Sequence, residues 1–284
     1  MRIRLLIIHF FIQIVNWFFN NAGNIGKFCL FHKNGGIYHN FTCVSYCQVS
    51  GIKDIADDFL SLFLPRPCLS CGAHLVRGEE VLCTGCLLAM ARTDFHVRRG
   101  NMLEQAFWGR CVVERAAAFS VYNRGSRIRK LIHLLKYQGR EDVGRMLGRL
   151  YGAVLAGSGF MDGIDMLVPV PLDPARERRR GYNQSRCIAD GLAEHSRLPV
   201  RSDILYRTGK SGSQTRRGRY ERWENVEGLF AVRKQAEIHG RHLLVVDDVI
   251  TTGSTIEACV NALHDAGEVS VSVAALAVSQ KLTL

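Results

Sequence analysis

No aspartate or glutamate occurs before Asp54, so Arg2, Arg4, Lys27 and Lys33 stand unopposed in the opening stretch. The chain has no internal repeat and no low-complexity tract, which excludes solenoid and fibrous architectures. It also lacks a clean membrane-length apolar run. The strongest, in MRIRLLIIHFFIQIVNWFF, is marginal in length and is broken by His9, Gln13 and Asn16. A basic start followed by apolar residues still fits a signal sequence or an anchor. Beyond it, positions 20–50 show neither helical nor strand periodicity, and the Asn40 sequon NFT is a triplet frequent by chance. The expectation is that residues 1–50 are an extension outside the working protein, arising from a mis-set start with Val49 as the true one. A signal or anchor is the alternative, and a membrane partner enters only if residues 1–20 are genuine.

What is present bounds the rest. The 284 residues suffice for one medium domain and a smaller module. Lys and Arg outnumber Asp and Glu by 37 to 26, a formal net charge of +11. That excess favours an anionic partner, whether nucleotide, phosphate, nucleic acid or membrane surface, without choosing among them. Of the 10 cysteines, four stand in paired CxxC spacing: Cys68 and Cys71, then Cys83 and Cys86. Two tight turns that each offer two thiolates suit one tetrahedral zinc ion, with a redox CxxC as the competing reading. The intervening GAHLVRGEEVL is expected to form a small hairpin. His74 is a weaker ligand candidate, and Cys111, Cys187 and Cys259 read as small buried residues. So short a module with few apolar residues needs a structural metal.

Periodicity then gives the organisation. Ile52, Ile55, Phe59, Leu62 and Phe63 recur at helical spacing and lead to the cysteines, so 51–94 reads as a helix plus a four-cysteine zinc-binding module. Residues 95–114 read as a connector, and 115–284 as the main domain. Within it, strands are expected at 115–123, 165–171, 228–232, 241–248 and 269–278. Helices are expected at 128–139, 143–157, past Gly181, and from 254 to Gly267. Buried strands alternating with amphipathic helices imply an α/β fold with a parallel sheet covered on both faces. Ligands collect at the carboxyl ends of such strands. Three of those ends carry suspicious chemistry: VPVPLDPARERRRGYN, the segment after ILYRT, and VVDDVITTGST.

In the last of these a dry run, Leu243 to Val246, meets two carboxylates, Asp247 and Asp248. Adjacent like charges repel unless a donor or a cation lies between them, and vicinal sugar hydroxyls or magnesium would serve. Thr251, Thr252, Gly253, Ser254 and Thr255 then form a turn into a helix, where backbone amides and hydroxyls make a phosphate cradle. A plain strand end followed by a hydroxyl-rich helix cap is the bland alternative.

The string VVDDVITTGST resembles the phosphoribosyl pyrophosphate signature of type I phosphoribosyltransferases. PVPLDPARERRRGYNQSRCIADGLA, YRTGKSGSQTRRGRYERWENVEGLFAV, IRKLIHLLKYQGRED and the paired CxxC resemble blocks of the ComF/GntX family, and they stand in that family's order along the chain. The resemblance spans Gly51 to Val278. It implies a Rossmann-like parallel sheet of the type I phosphoribosyltransferase kind, preceded by a small zinc-ribbon-like module. It further implies that Asp247 and Asp248 hold ribose hydroxyls and that Thr251–Thr255 hold the 5-phosphate. PVPLDPARERRR would be the pyrophosphate loop, and Arg207 to Asn225 a mobile flap. Negative charge on a departing pyrophosphate calls for cations, with magnesium bridging its oxygens. Lys136, Arg176, Arg179, Arg180, Arg216 and Arg217 are the candidates, with Arg176 and Arg180 spaced to share a helix face. The implied function is binding of phosphoribosyl pyrophosphate or a ribose 5-phosphate ligand in the cytoplasm, in the service of competence and DNA uptake. Two alternatives stay open. One is an active phosphoribosyltransferase of nucleotide metabolism or salvage, whose acceptor no motif specifies. The other is a non-catalytic adaptor for single-stranded DNA and an uptake helicase, because the arginine runs interleave with Tyr182, Tyr220 and Trp223.

Overall fold

Leu243, Leu244, Val245 and Val246 have no exposed side chain among them. A strand dry on both faces needs cover on both. The computed structural model, which describes residues 66–208 and 228–282, shows what supplies it. The extension 1–50, the helix expected at 52–63 and the segment 209–227 lie outside the described residues.

In chain order the elements are α1 (Thr84–Leu88), α2 (Met102–Gln105), β1 (Ala116–Tyr122), α3 (Arg127–Tyr137), α4 (Glu141–Gly157) and β2 (Met166–Pro169). Then come α5 (Pro174–Arg180), α6 (Gln184–Ser196), β3 (Leu205–Arg207), β4 (Phe230–Val232), α7 (Gln235–Ile238), β5 (His242–Ile250), α8 (Ser254–Ala266) and β6 (Ser270–Ser279). The main sheet has the order β1-β6-β5-β2, and every pairing in it is parallel. The parallel α/β architecture expected from the sequence is therefore present. The segments ILYRT and GLFAV depart from expectation. As β3 and β4 they pair antiparallel in a separate two-stranded ribbon and do not join the main sheet.

Alternation divides the cover. Leu244, Val246, Ala274 and Leu276 pack with α3, α4, α6 and the cysteine module. Leu243, Val245, Val271 and Val273 pack with α8, the ribbon, Leu103 and Phe107. In α3 the buried residues Ile128, Leu131, Ile132 and Leu135 form one stripe, as their spacing predicted.

Two stretches are more ordered than their sequences suggested. Residues 95–114, read as a connector, contribute to the core: Leu103 and Phe107 are fully buried. Asn101 organises this stretch. Its Oδ1 accepts from the amides of Leu103 and Glu104, and its Nδ2 donates to the carbonyls of Phe95, Arg98 and Ala116. Helix α5 precedes Gly181, where the pyrophosphate loop was expected, and it holds Arg176 and Arg180, whose spacing had suggested a shared helix face. Asp173 caps it by accepting from Ala175 and Arg176, Pro174 opens it, and left-handed Gly181 closes it. It buries no residue, so no apolar period announced it.

Helices α4 and α6 cross at backbone contact. A methyl on Gly148 would collide with the Ile188 carbonyl oxygen, one on Gly191 with the Arg145 carbonyl, and one on Gly152 would lie 2.9 Å from the Leu192 carbonyl oxygen. Among the described residues no helix is long and apolar enough to cross a membrane.

Gly148→Ala should therefore lower stability by about 1–3 kcal/mol, as overpacking does. Gly157→Ala, in open space at the end of the same helix, should be neutral or stabilising. Thermal denaturation of both variants checks this. Equal effects of the two would refute the backbone contact.

Candidate functional site

Strand β5 does not stop at the aspartates. Its ladder with β6 runs on through Asp247↔Ala275 and Val249↔Ala277 to Ile250↔Val278. Asp247 and Asp248 are thus consecutive strand residues, and their side chains leave on opposite sides. Each has its own partners. Asp248, buried, places Oδ1 2.8 Å from the Lys136 ammonium at the end of α3. Asp247 Oδ1 accepts from Ser185 Oγ at 3.0 Å and from the Asp248 amide at 2.8 Å. Burial and the neighbouring Asp248 charge push the Asp247 carboxyl up to about 7, against the opposing pull of the Asp248 amide, Lys136 and Ser185.

The turn follows at once. Thr251 and Thr252 are exposed, and Gly253 turns left-handed at φ 82°. The Thr252 hydroxyl lies 3.1 Å from Ser254 Oγ and accepts weakly from the Ser254 amide at 3.4 Å. No side chain caps α8. The amides of Gly253, Thr255 and Ile256 consequently have no acceptor among the described residues. Three donors at the positive end of a helix, beside two carboxylates, form an anion cradle joined to a hydroxyl-accepting edge.

The cationic candidates divide. Lys136 is bound to Asp248 and so serves first as its counter-ion. Arg180 lies over the Tyr137 ring at 5.4 Å and donates to Gln184 Oε1. Arg176 and Arg179 are exposed on α5, on a helix and not in a turn, and neither makes a salt bridge among the described residues. Arg216 and Arg217, and the flap positions 209–225, lie outside the described residues.

Some contributors were not legible in the sequence. Ser185 approaches Asp247 because Asn183 caps α6 through the Ser185 amide and ties its start to the Val170 carbonyl at 3.0 Å. The string NQS shortly after Gly181 was the available cue. Tyr182 donates its hydroxyl to the Leu135 carbonyl, fastening the same loop to α3. Arg110 reaches the turn itself, donating to the Thr252 carbonyl at 2.9 Å.

The sulfurs of Cys68, Cys71, Cys83 and Cys86 all lie within 4.8 Å of one another, and this cluster could hold a metal ion. Amides point at three of them: Cys83 to Cys68 Sγ, Ala73 to Cys71 Sγ and Cys86 to Cys83 Sγ, at 3.3–3.5 Å. Burial would raise the Cys68 thiol, but the surrounding amides outweigh it and bring it to about 6. His74 is outside the cluster. The insert carries an isolated antiparallel bridge, Pro67↔His74, and among the described residues no hairpin strands. Cys187 and Cys259 are buried as expected, while Cys111 is half-buried.

Residues 178–282 match the Phosphoribosyl transferase domain family. The chain is 29% identical to the DNA utilization protein YhgH of Escherichia coli K12 over 205 residues, which is 71% of this chain and 86% of that protein. It is 26% identical to Competence protein F of Haemophilus influenzae over 219 residues, 74% of this chain and 96% of that one. With Competence protein ComFC of Bacillus subtilis it shares 24% identity over 246 residues, 84% of this chain and 94% of that one. The parallel sheet and the matched domain define a protein of the type I phosphoribosyltransferase fold. Its relatives narrow the likeness further: over most of its length the chain is similar to competence and DNA utilization proteins.

The raised Asp247 value has a sign. The folded state holds this proton more tightly than the unfolded chain, whose aspartates titrate near about 4. The contribution is complete below that value and is lost as pH rises towards about 7. Asp247→Asn, which cannot ionise, should melt above the parent at pH 8 and converge with it in acid. A pH series of melting temperatures tests this, and an Asn variant no more stable at pH 8 would contradict the assignment.

Proposed function

We propose that this chain is a ComF-like protein whose site binds phosphoribosyl pyrophosphate, or a ribose 5-phosphate ligand, together with magnesium. The observation that carries the reading is the set of free amides at the start of α8 beside Asp247 and Asp248. Asp247 and Asp248 would accept from the ribose hydroxyls with their remaining lone pairs. Thr251, Thr252, Gly253, Ser254 and Thr255 would hold the 5-phosphate. Arg176 and Arg179 on α5 would face the pyrophosphate, with Arg180 behind them, and Lys136 would balance Asp248. Magnesium bound with the ligand would supply positive charge against the phosphates. Leaving-group charge in such a pocket meets fixed cations, and developing positive charge on the sugar meets carboxylates. The site therefore supports an active phosphoribosyltransferase of nucleotide metabolism or salvage as the catalytic version of the same reading.

The four cysteines fit structural zinc by donor type and spacing. The module is tied to the main domain. Lys130 donates to the Ser70 carbonyl at 2.6 Å, Arg127 to the Ala89 carbonyl at 3.1 Å, and Arg149 pairs with Glu80 at 2.6 Å. A reducing cytoplasm keeps such thiolates available for metal. The relatives' names, DNA utilization and competence, supply the proposed setting of DNA uptake. The exposed arginines of α5 favour a second reading, an adaptor for single-stranded DNA working with an uptake helicase.

Calorimetric titration with phosphoribosyl pyrophosphate and magnesium should show one site. The double substitution Asp247→Asn/Asp248→Asn should weaken it at least about tenfold, or about 1.4 kcal/mol. No binding by the parent would defeat the ligand reading, and salt-sensitive DNA affinity in its place would support the adaptor. Independently, chelation of the intact protein should release one zinc and expose four titratable thiols. Metal analysis that finds none in protein purified without chelator would remove the zinc assignment.

A further inference from the structure

We infer that Arg110, from the stretch that read as a connector, is the positioning residue that aims the phosphate-binding turn; this rests on the site reading above. Three acceptors converge on its guanidinium. Nη1 donates to the Thr252 carbonyl at 2.9 Å and to the Ala106 carbonyl at 3.1 Å. Nε donates to Glu257 Oε2 at 3.1 Å, and Nη2 donates to the same oxygen. One side chain thus ties the segment 106–110, the turn, and the first turn of α8.

The consequence follows from peptide geometry. The described peptides are all trans, and in a trans unit the carbonyl and the next amide point in opposite directions. Holding the Thr252 oxygen against Arg110 turns the Gly253 N–H away from Arg110. Gly253 is the residue for which this matters most. Its left-handed backbone lies so close to the same segment that an added Cβ would stand 3.0 Å from Phe107 Cε1 and 3.3 Å from Arg110 Nη1. Phe107 is fully buried, so it forms a fixed wall behind the turn.

The second effect is electrostatic. Glu257 sits in the first turn of α8, where a carboxylate is attracted to the free amides and competes with an incoming anion. Pairing with Arg110 neutralises Glu257 and holds it behind the turn. Arg110 thereby removes a competitor and orients a donor without touching ligand. Its side chain and that of Glu257 are 20% and 24% exposed, so the pair is partly shielded from water.

The full chain carrying Arg110→Ala or Arg110→Lys provides the test. Calorimetry reads affinity for ribose 5-phosphate and, separately, for magnesium pyrophosphate. Hydrogen exchange reads the Glu257 amide, which closes the first turn of α8 onto the Gly253 carbonyl. Arg110→Ala should weaken ribose 5-phosphate about tenfold, the cost of one misdirected charge-assisted hydrogen bond. Pyrophosphate should change less than about twofold, because it takes no part in the 5-phosphate contacts. Arg110→Lys should recover part of the loss, and exchange at the Glu257 amide, which donates to the Gly253 carbonyl at 2.9 Å, should quicken in both. Unchanged ribose 5-phosphate affinity, or equal loss of both ligands, overturns the proposal. If the alanine variant does not fold, the lysine variant is read alone, with the same split expected. If the parent binds no ribose 5-phosphate, the functional reading fails. The exchange data then still decide the positioning role, and unaltered exchange at the Glu257 amide in the lysine variant overturns it.

Discussion

The ion pair between Lys136 and Asp248 joins the parts of this molecule. A carboxylate buried at the end of a dry strand is costly unless a cation is brought to it. Helix α3 delivers that cation from its last turn. The same helix, at its first turns, presents Arg127 and Lys130 to carbonyls of the cysteine module. One amphipathic helix therefore spans from the four sulfurs to the candidate ligand edge, and its buried stripe fixes it to β1 and α4 between those points. Disturbing the pair would leave Asp248 unbalanced beside Asp247, whose proton affinity already reflects a neighbouring charge.

The adjacent carboxylates are each held by a different helix. Asp248 takes its partner from α3 and Asp247 from the start of α6, two helices of the layer that covers Leu244 and Val246. The sequence made the pair look like a single double acid facing one sugar. The structure makes it two separately supported groups sharing one edge, with hydrogen-bonding capacity left over on each.

Much of this was readable in advance, for physical reasons. A parallel strand covered on both faces writes itself as an uninterrupted apolar run, and a helix that opens with hydroxyls and glycine advertises its free amides. Four cysteines in paired spacing carry their own geometry. What stayed hidden was either non-periodic or distant. Helix α5 buries nothing, so only its cap, Asp173 and Pro174 before and Gly181 after, could have revealed it. Leu103 and Phe107 sit in a stretch too short for a period to emerge. The Arg110 contact to Thr252 spans 142 residues, and no local pattern encodes a partner that far along the chain. The β3–β4 ribbon was misplaced because a three-residue strand looks the same whether it joins the main sheet or leaves it.

The glycine crossing of α4 and α6 acts as a mechanical gauge. Two backbones in direct contact leave no thickness to vary, so the axial register of α6 is set by main chain against main chain. Ser185 lies six residues before Gly191, about 9 Å along the helix at about 1.5 Å per residue. Side chains elsewhere on these helices can drift in size without changing that distance. The reach from Ser185 to Asp247 is thus insulated from the substitutions that most readily alter a helical layer.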